Sequence, residues 1–244
     1  MKAIVFAAGL GTRLRPLTDN KPKALVEVGG VTMLERVIRN LIYYGFNEIV
    51  VNVHHFGGQI IDFLKSKNNF GVTIHISDER EQLLDTGGGI LKARTWLDGG
   101  APILIHNADI LTDLNLTDIV ERHKALHADA TLLVAGRDTA RYLVFGSDDL
   151  MKGWTNVKTS EVKPDDLCID QSCRLLAFGG VHVISPTVFD RLQSYSDEAK
   201  FSITNFYIDS CKDQRIVGYQ PSVAYTWHDI GKIESLREVE KIFT

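Results

Sequence analysis

Cysteine is scarce in this sequence: Cys168, Cys173 and Cys211 are odd in number, and none stands in a Cys-x-x-Cys pair. That argues against a disulfide framework and against a zinc site, and leaves free thiols. Long apolar runs are missing too. No stretch approaches the roughly 20 residues of a bilayer-spanning helix, and Lys2 is not followed by an apolar leader ending in a cleavage site, so a cytoplasmic protein without membrane contact is expected. Positive charge is not in excess. The 27 Lys and Arg stand against 31 Asp and Glu, for a net charge of −4, and no basic stripe is present. Nucleic acid, which clustered cations hold by its phosphates, is therefore not an expected partner.

What is present suits one globular domain over residues 1–244, since 44 % hydrophobic content in a chain of this length can bury a substantial core. Residues 3–8 form a short uncharged apolar run that fits a strand buried on both faces of a parallel sheet. A loop follows, in which Gly9 and Gly11 let the backbone turn sharply and approach an anion. Thr12, Arg13, Arg15 and Lys23 place a hydroxyl and three cations around it. A dinucleotide-dependent oxidoreductase is disfavoured, because Leu14 stands where the third glycine of Gly-x-Gly-x-x-Gly belongs and no ribose-binding acid follows at the expected spacing. A free triphosphate suits the cations better than a diester.

The chain then alternates. Thr32 and Glu35 have the form of a capping box, and Leu34, Val37, Ile38, Leu41 and Ile42 recur at helical spacing. Strands are expected over 48–53 and 72–77, with a helix over 59–65 between them. Three glycines, Gly87 to Gly89, precede an apparent helix over 90–96 and read as a turn in the absence of a ligand. An apolar strand from Pro102 ends at Asp109, at the carboxyl rim where ligands bind in such sheets. A helix over 115–126 and a strand over 130–135 complete the pattern, which predicts an α/β, Rossmann-like, mostly parallel sheet with helices on both faces. After residue 135 the alternation gives way to a small antiparallel insertion around 142–154, a polar stretch, a glycine-interrupted strand over 175–184 and a helix over 185–192.

Ala7-Ala8-Gly9-Leu10-Gly11-Thr12-Arg13-Leu14-Arg15-Pro16-Leu17-Thr18, followed by Lys21-Pro22-Lys23-Ala24-Leu25-Val26, closely resembles the signature of sugar-1-phosphate nucleotidylyltransferases, which make NDP-sugars. The resemblance implies a nucleotide-binding half over about 1–135 and a sugar-binding half over about 136–244. It assigns Ala7, Ala8, Gly9, Gly11, Thr12 and Arg13 to the nucleotide, and Arg13, Lys23 and Asp109 to catalysis. Gln82, Thr86 and Gly87 are expected to meet the base. Asn107, Glu161, Lys163 and Gly179 are expected to meet the sugar phosphate, with Lys158 competing for the role of Lys163. Trp227-His228-Asp229-Ile230-Gly231 resembles the family's second metal element, so Asp109 and Asp229 are expected to share one Mg2+.

The implied partners are a nucleoside triphosphate and a sugar 1-phosphate, acted on by a monomer or homodimer. Thr86-Gly87-Gly88-Gly89 is similar to the branch that uses UTP and N-acetylmuramic acid 1-phosphate in cell-wall recycling. GTP with mannose or heptose 1-phosphate is the alternative, a cytidylyltransferase acting on an alcohol phosphate comes next, and a non-catalytic NDP-sugar sensor stands furthest off. The β-helix and fused acyltransferase that many relatives carry are not expected.

Overall fold

Ten strands form one mixed sheet in a computed structural model of the protein, which describes residues 1–243. In chain order they are β1 (Lys2–Phe6), β2 (Glu48–Val53), β3 (Thr73–Asp78), β4 (Ile103–Asn107), β5 (Ala130–Ala135), β6 (Arg141–Phe145), β7 (Met151–Asn156), β8 (Glu161–Lys163), β9 (Arg174–Ile184) and β10 (Ile216–Tyr219). Their order across the sheet is β8-β7-β6-β9-β4-β1-β2-β3, with β5 also paired to β9 and β10 to β5. The four strands β4, β1, β2 and β3 run parallel, as expected. β9 is antiparallel to β4, β5 and β6 and joins the two halves into a single sheet.

Burial explains the apolar runs. Ala3 and Val5 of β1 enter one core while Ile4 enters the other, and Ile49 and Val51 of β2 are likewise separated from Val50. A strand that must feed two cores cannot alternate polar with apolar residues. The first core takes in α1 (Met33–Tyr43), α2 (Gly57–Ser66), α5 (Leu116–Ala125) and the start of α8 (Ile233–Phe243). α3 (Asp85–Lys92), α4 (Arg94–Leu97), α6 (Val188–Tyr195) and α7 (Ile203–Ser210) contribute to the second. Thr32 caps α1 as read, accepting from the Glu35 amide at 3.2 Å, but the Glu35 carboxylate turns to Arg39 and Lys67. α6 starts three residues later than its expected position, because Ser185 and Pro186 form a turn that receives the amides of Val188 and Phe189.

The glycine triplet departs most from expectation. α3 starts at Asp85, so Gly87, Gly88 and Gly89 lie inside the helix and are buried. Their bare backbones are needed for packing: a methyl at Gly87 would overlap the Phe201 ring, one at Gly88 the Ala199 carbonyl, and one at Gly89 would lie 2.9 Å from Glu79 Oε1. The amides of Gly87 and Gly88 both point to the Phe201 carbonyl, and Thr86 Oγ1 accepts from the Ile203 amide at 3.0 Å. The first turn of α3 is thereby docked onto the segment that leads into α7.

Outside the main sheet, Ile110–Thr112 and Trp227–Asp229 form a short antiparallel ribbon with Asp229 opposite Ile110.

Candidate active site

Parallel register brings the ends of the central strands to one rim, with Phe6 beside both Asn52 and Asn107. Over that rim lies a cavity of about 350 Å³. Its floor is Ala7, Ala8 and Gly9 after β1, one wall is Leu83, Asp85 and Thr86 at the start of α3, and Lys23 and Asp109 close it. Gly11 makes the loop possible. Its φ is +67°, a region where a side chain is strained, and a Cβ there would lie 3.0 Å from both Lys23 and Thr18. Thr18 Oγ1 donates to the Gly11 carbonyl at 2.8 Å and fixes the turn.

Lys23 Nζ makes an ion pair with Asp109 Oδ2 in a half-buried setting. Asp109 also receives the Ile230 amide on its backbone oxygen at 2.9 Å, which ties it to the 227–229 strand of the ribbon. Asp229 thus arrives beside it in the fold although the two are far apart in sequence. A Cβ at Gly231 would stand 2.7 Å from Asp229 Oδ1 and 2.8 Å from an Arg13 nitrogen, so the glycine admits Arg13 next to that carboxylate. Asp229 Oδ1 is buried and, among the described residues, has no hydrogen-bond partner. A buried acceptor without a donor calls for a partner, and a carboxylate is a hard ligand that could take part in holding a divalent cation; Asp109 lines the cavity, whereas Asp229 lies on the ribbon behind it.

A second cavity, of about 450 Å³, opens between the antiparallel strands and α7. Arg141, Trp154, Glu161 and Lys163 line it on the sheet side, and Ser202 and Thr204 on the helix side. Lys163 pairs with Glu161 at 3.2 Å and lies 5.7 Å from the Trp154 ring centre. An aromatic face with ions and hydroxyls around it suits a polyhydroxyl ligand. Arg137 stacks on Trp227 at 3.6 Å and donates to the carbonyl of Phe178, a residue of the second cavity's lining, at 2.7 Å; burial lowers its pKa, and Asp229 and Tyr225 act in the opposite sense.

The family description "Nucleotidyl transferase" matches residues 2–244. The chain belongs to that family. It is 31 % identical to an N-acetylmuramate alpha-1-phosphate uridylyltransferase of Neisseria meningitidis, over 99 % of this chain and 98 % of that one. It is 30 % identical to the catalytic subunit beta of a mannose-1-phosphate guanylyltransferase of Dictyostelium discoideum, over 79 % of this chain and 52 % of that one. Among solved structures, a putative glucose-1-phosphate thymidylyltransferase from Bacillus anthracis superposes with a TM-score of 0.81 at 19 % identity, covering 100 % of this chain and 95 % of that one, and shares the fold.

In this nucleotidyl transferase the residues read from sequence fall into three groups. Ala7, Ala8, Gly9, Lys23, Thr86, Asn107 and Asp109 line the first cavity, and Glu161 and Lys163 the second. Asn107, expected with the sugar phosphate, thus lines the first cavity, together with Ala7, Ala8 and Gly9. Gly11, Thr12 and Arg13 support the rim from outside that lining, and Gln82 is exposed beyond it. At two of the expected glycines one backbone group is already occupied. The Gly87 amide is committed to Phe201, and the Gly179 carbonyl receives the Trp227 indole N–H at 2.8 Å, so neither backbone group is free for a ligand. Lys158 is exposed and absent from the second cavity's lining. Arg137, Arg141 and Glu79 carried no sequence signal, since no motif or spacing marks them.

Proposed function

We propose that this nucleotidyl transferase makes a UDP-sugar and pyrophosphate from UTP and N-acetylmuramic acid 1-phosphate. The observation that carries the reading is a pair of cavities, one rimmed by the signature loop, Lys23 and Asp109, the other lined by Trp154, Glu161 and Lys163, with the Thr86 wall of the first bonded to the 202–204 segment of the second. The match to the Neisseria enzyme over almost the whole of both chains favours that base and sugar. The Dictyostelium relative favours GTP and mannose 1-phosphate as the second reading.

A sugar phosphate is largely a dianion near neutral pH, since the second pKa of a phosphate monoester is about 6, and needs no protein base. Its oxygen attacks the α-phosphorus of the triphosphate; a new P–O bond forms as the bond to the bridging oxygen breaks, and pyrophosphate carries off that electron pair. Lys23 and Arg13 offset charge at the rim, and the glycine loop fixes the triphosphate for in-line approach. Asp109 and Asp229 would hold Mg2+, for which the donor-free Asp229 oxygen is a suitable ligand. Bound there, the cation would neutralise phosphate charge.

The test is pyrophosphate release with magnesium across UTP, GTP, CTP and dTTP, each crossed with a panel of sugar 1-phosphates. Turnover confined to UTP and N-acetylmuramic acid 1-phosphate is the expected result. Turnover with GTP and mannose 1-phosphate would replace the substrates, and binding without turnover would leave an NDP-sugar sensor.

A further inference from the structure

Beneath the first cavity runs a buried chain of hydrogen bonds. Asn52 Oδ1 accepts from the amides of Ala7 at 2.7 Å and Ala8 at 3.2 Å, so the first two amides of the signature loop are already occupied. Asn52 Nδ2 donates to Glu79 Oε1 at 3.0 Å, and Glu79 Oε2 accepts from the Leu84 amide at 3.1 Å. Asn52 is 1 % exposed and Glu79 is fully buried. These two side chains therefore connect the cavity's floor to its opposite wall at Leu83–Thr86, with β2 between them.

The direction of the chain is fixed. Ala7, Ala8 and Leu84 each present only an N–H, so the side chains that meet them must accept at both ends, and the one donor between them must be the Asn52 amide nitrogen. Turning the Asn52 amide over would set its NH2 against two backbone donors. Gly89 leaves room for the link, because a Cβ there would lie 2.9 Å from Glu79 Oε1 and 3.4 Å from Asn52 Nδ2. Asn52 is also part of the cavity lining.

We propose that Asn52 and Glu79 form a positioning pair that sets the distance between the signature loop and the start of α3, and so sets affinity for the nucleoside triphosphate. The inference rests on the first cavity being the nucleotide site. Neither residue takes part in the chemistry, and the sugar cavity does not include them.

The logic of donors and acceptors supplies its own test. Glu79→Gln puts an NH2 where an acceptor is required, and Asn52→Asp sets two acceptors against each other. The exchanged pair, Asn52→Asp with Glu79→Gln, restores every bond: one Asp oxygen accepts from Ala7 and Ala8, the other from the Gln NH2, and the Gln oxygen from Leu84. Each single variant should weaken UTP binding about tenfold, the loss of one buried hydrogen bond, with the KM for sugar 1-phosphate held within about twofold. The exchanged pair should return to within about threefold of wild type.

UTP with magnesium, without sugar phosphate, is the probe, read by calorimetry, with thermal unfolding followed for each variant. Where a single variant unfolds, the comparison of the exchanged pair with wild type decides. A folded single variant with unchanged UTP affinity, or an exchanged pair that binds no better than the weaker single variant or fails to fold, overturns the proposal. Wild type that binds none of UTP, GTP, CTP and dTTP overturns the nucleotide reading, and this inference falls with it.

Discussion

Asp109 has two neighbours that constrain what a substitution there can mean. Lys23 pairs with its carboxylate, and the Ile230 amide holds its backbone in place. Asp109→Asn keeps the shape and the backbone bond while removing the charge. Activity should fall by about 2–4 kcal/mol in transition-state stabilisation, the usual cost of deleting one preorganised electrostatic group, with circular dichroism and melting temperature little changed. Activity near wild type in a steady-state pyrophosphate assay would remove the carboxylate from the reaction. Lys163 poses a different question, since it is exposed and already paired with Glu161. Lys163→Ala should raise the KM for sugar 1-phosphate more than the KM for triphosphate, and an unchanged sugar-phosphate KM would take it out of the site. Both residues were legible in the sequence because they sit in or beside recurring strings. Asn52 stood out only by its place at the ligand-binding end of β2, as a residue with some chance of meeting the nucleotide, and Glu79 not at all, because the role of a buried polar residue is marked by its partners, and its partners are known only from the fold.

At the scale of elements, the sign of one substitution separates local preference from packing. In an isolated helix, Gly88→Ala would stabilise by about 1 kcal/mol, through the lower backbone entropy of the unfolded chain. In α3 the added methyl overlaps the Ala199 carbonyl oxygen, a backbone atom that cannot rotate away as a side chain would. Overpacking of this kind costs about 1–3 kcal/mol and should dominate. The expected outcome is a lower melting temperature together with weaker triphosphate binding, because Thr86 and Asp85 ride on the same helix end. A raised melting temperature would show that the 199–203 segment yields freely. The same contact explains why a glycine triplet read as a turn: the reason for it lies across the chain at Phe201, and Thr86 meets Ile203 over a separation of 117 residues. Strands with their own sequence patterns, such as β2 and β5, fell at their expected positions.

Across the whole molecule, the parallel part of the sheet was legible because each parallel strand is followed by the helix that returns the chain, whereas the rest depends on β9 pairing with three strands from different parts of the sequence. That assembly buries three histidines. His106 in β4 and His182 in β9 lie on adjacent paired positions, and His123 in α5 bonds Thr131 and Ser185 through its two ring nitrogens, each at 3.0 Å. Burial lowers their pKa values to about 4 for His106 and His123 and about 3 for His182. In the unfolded chain each returns to about 6.5, so between these values the unfolded state binds more protons and stability rises with pH. The contribution is complete above about pH 6.5 and is lost as pH falls towards 4, a range in which most unfolded carboxylates are still charged. Urea titrations at pH 7.0, 6.0 and 5.0 should therefore show falling stability, with a slope approaching three protons at the acid end. His182 offers the cleanest control, because among the described residues neither ring nitrogen has a hydrogen-bond partner, and its ring packs edge-on against Tyr207 at 5.7 Å. His182→Phe should remove one proton from that slope and leave the protein more stable at pH 5. Stability that stays flat from pH 7 to 5 would mean that these rings take up protons in the folded protein as readily as in the unfolded chain, against their burial.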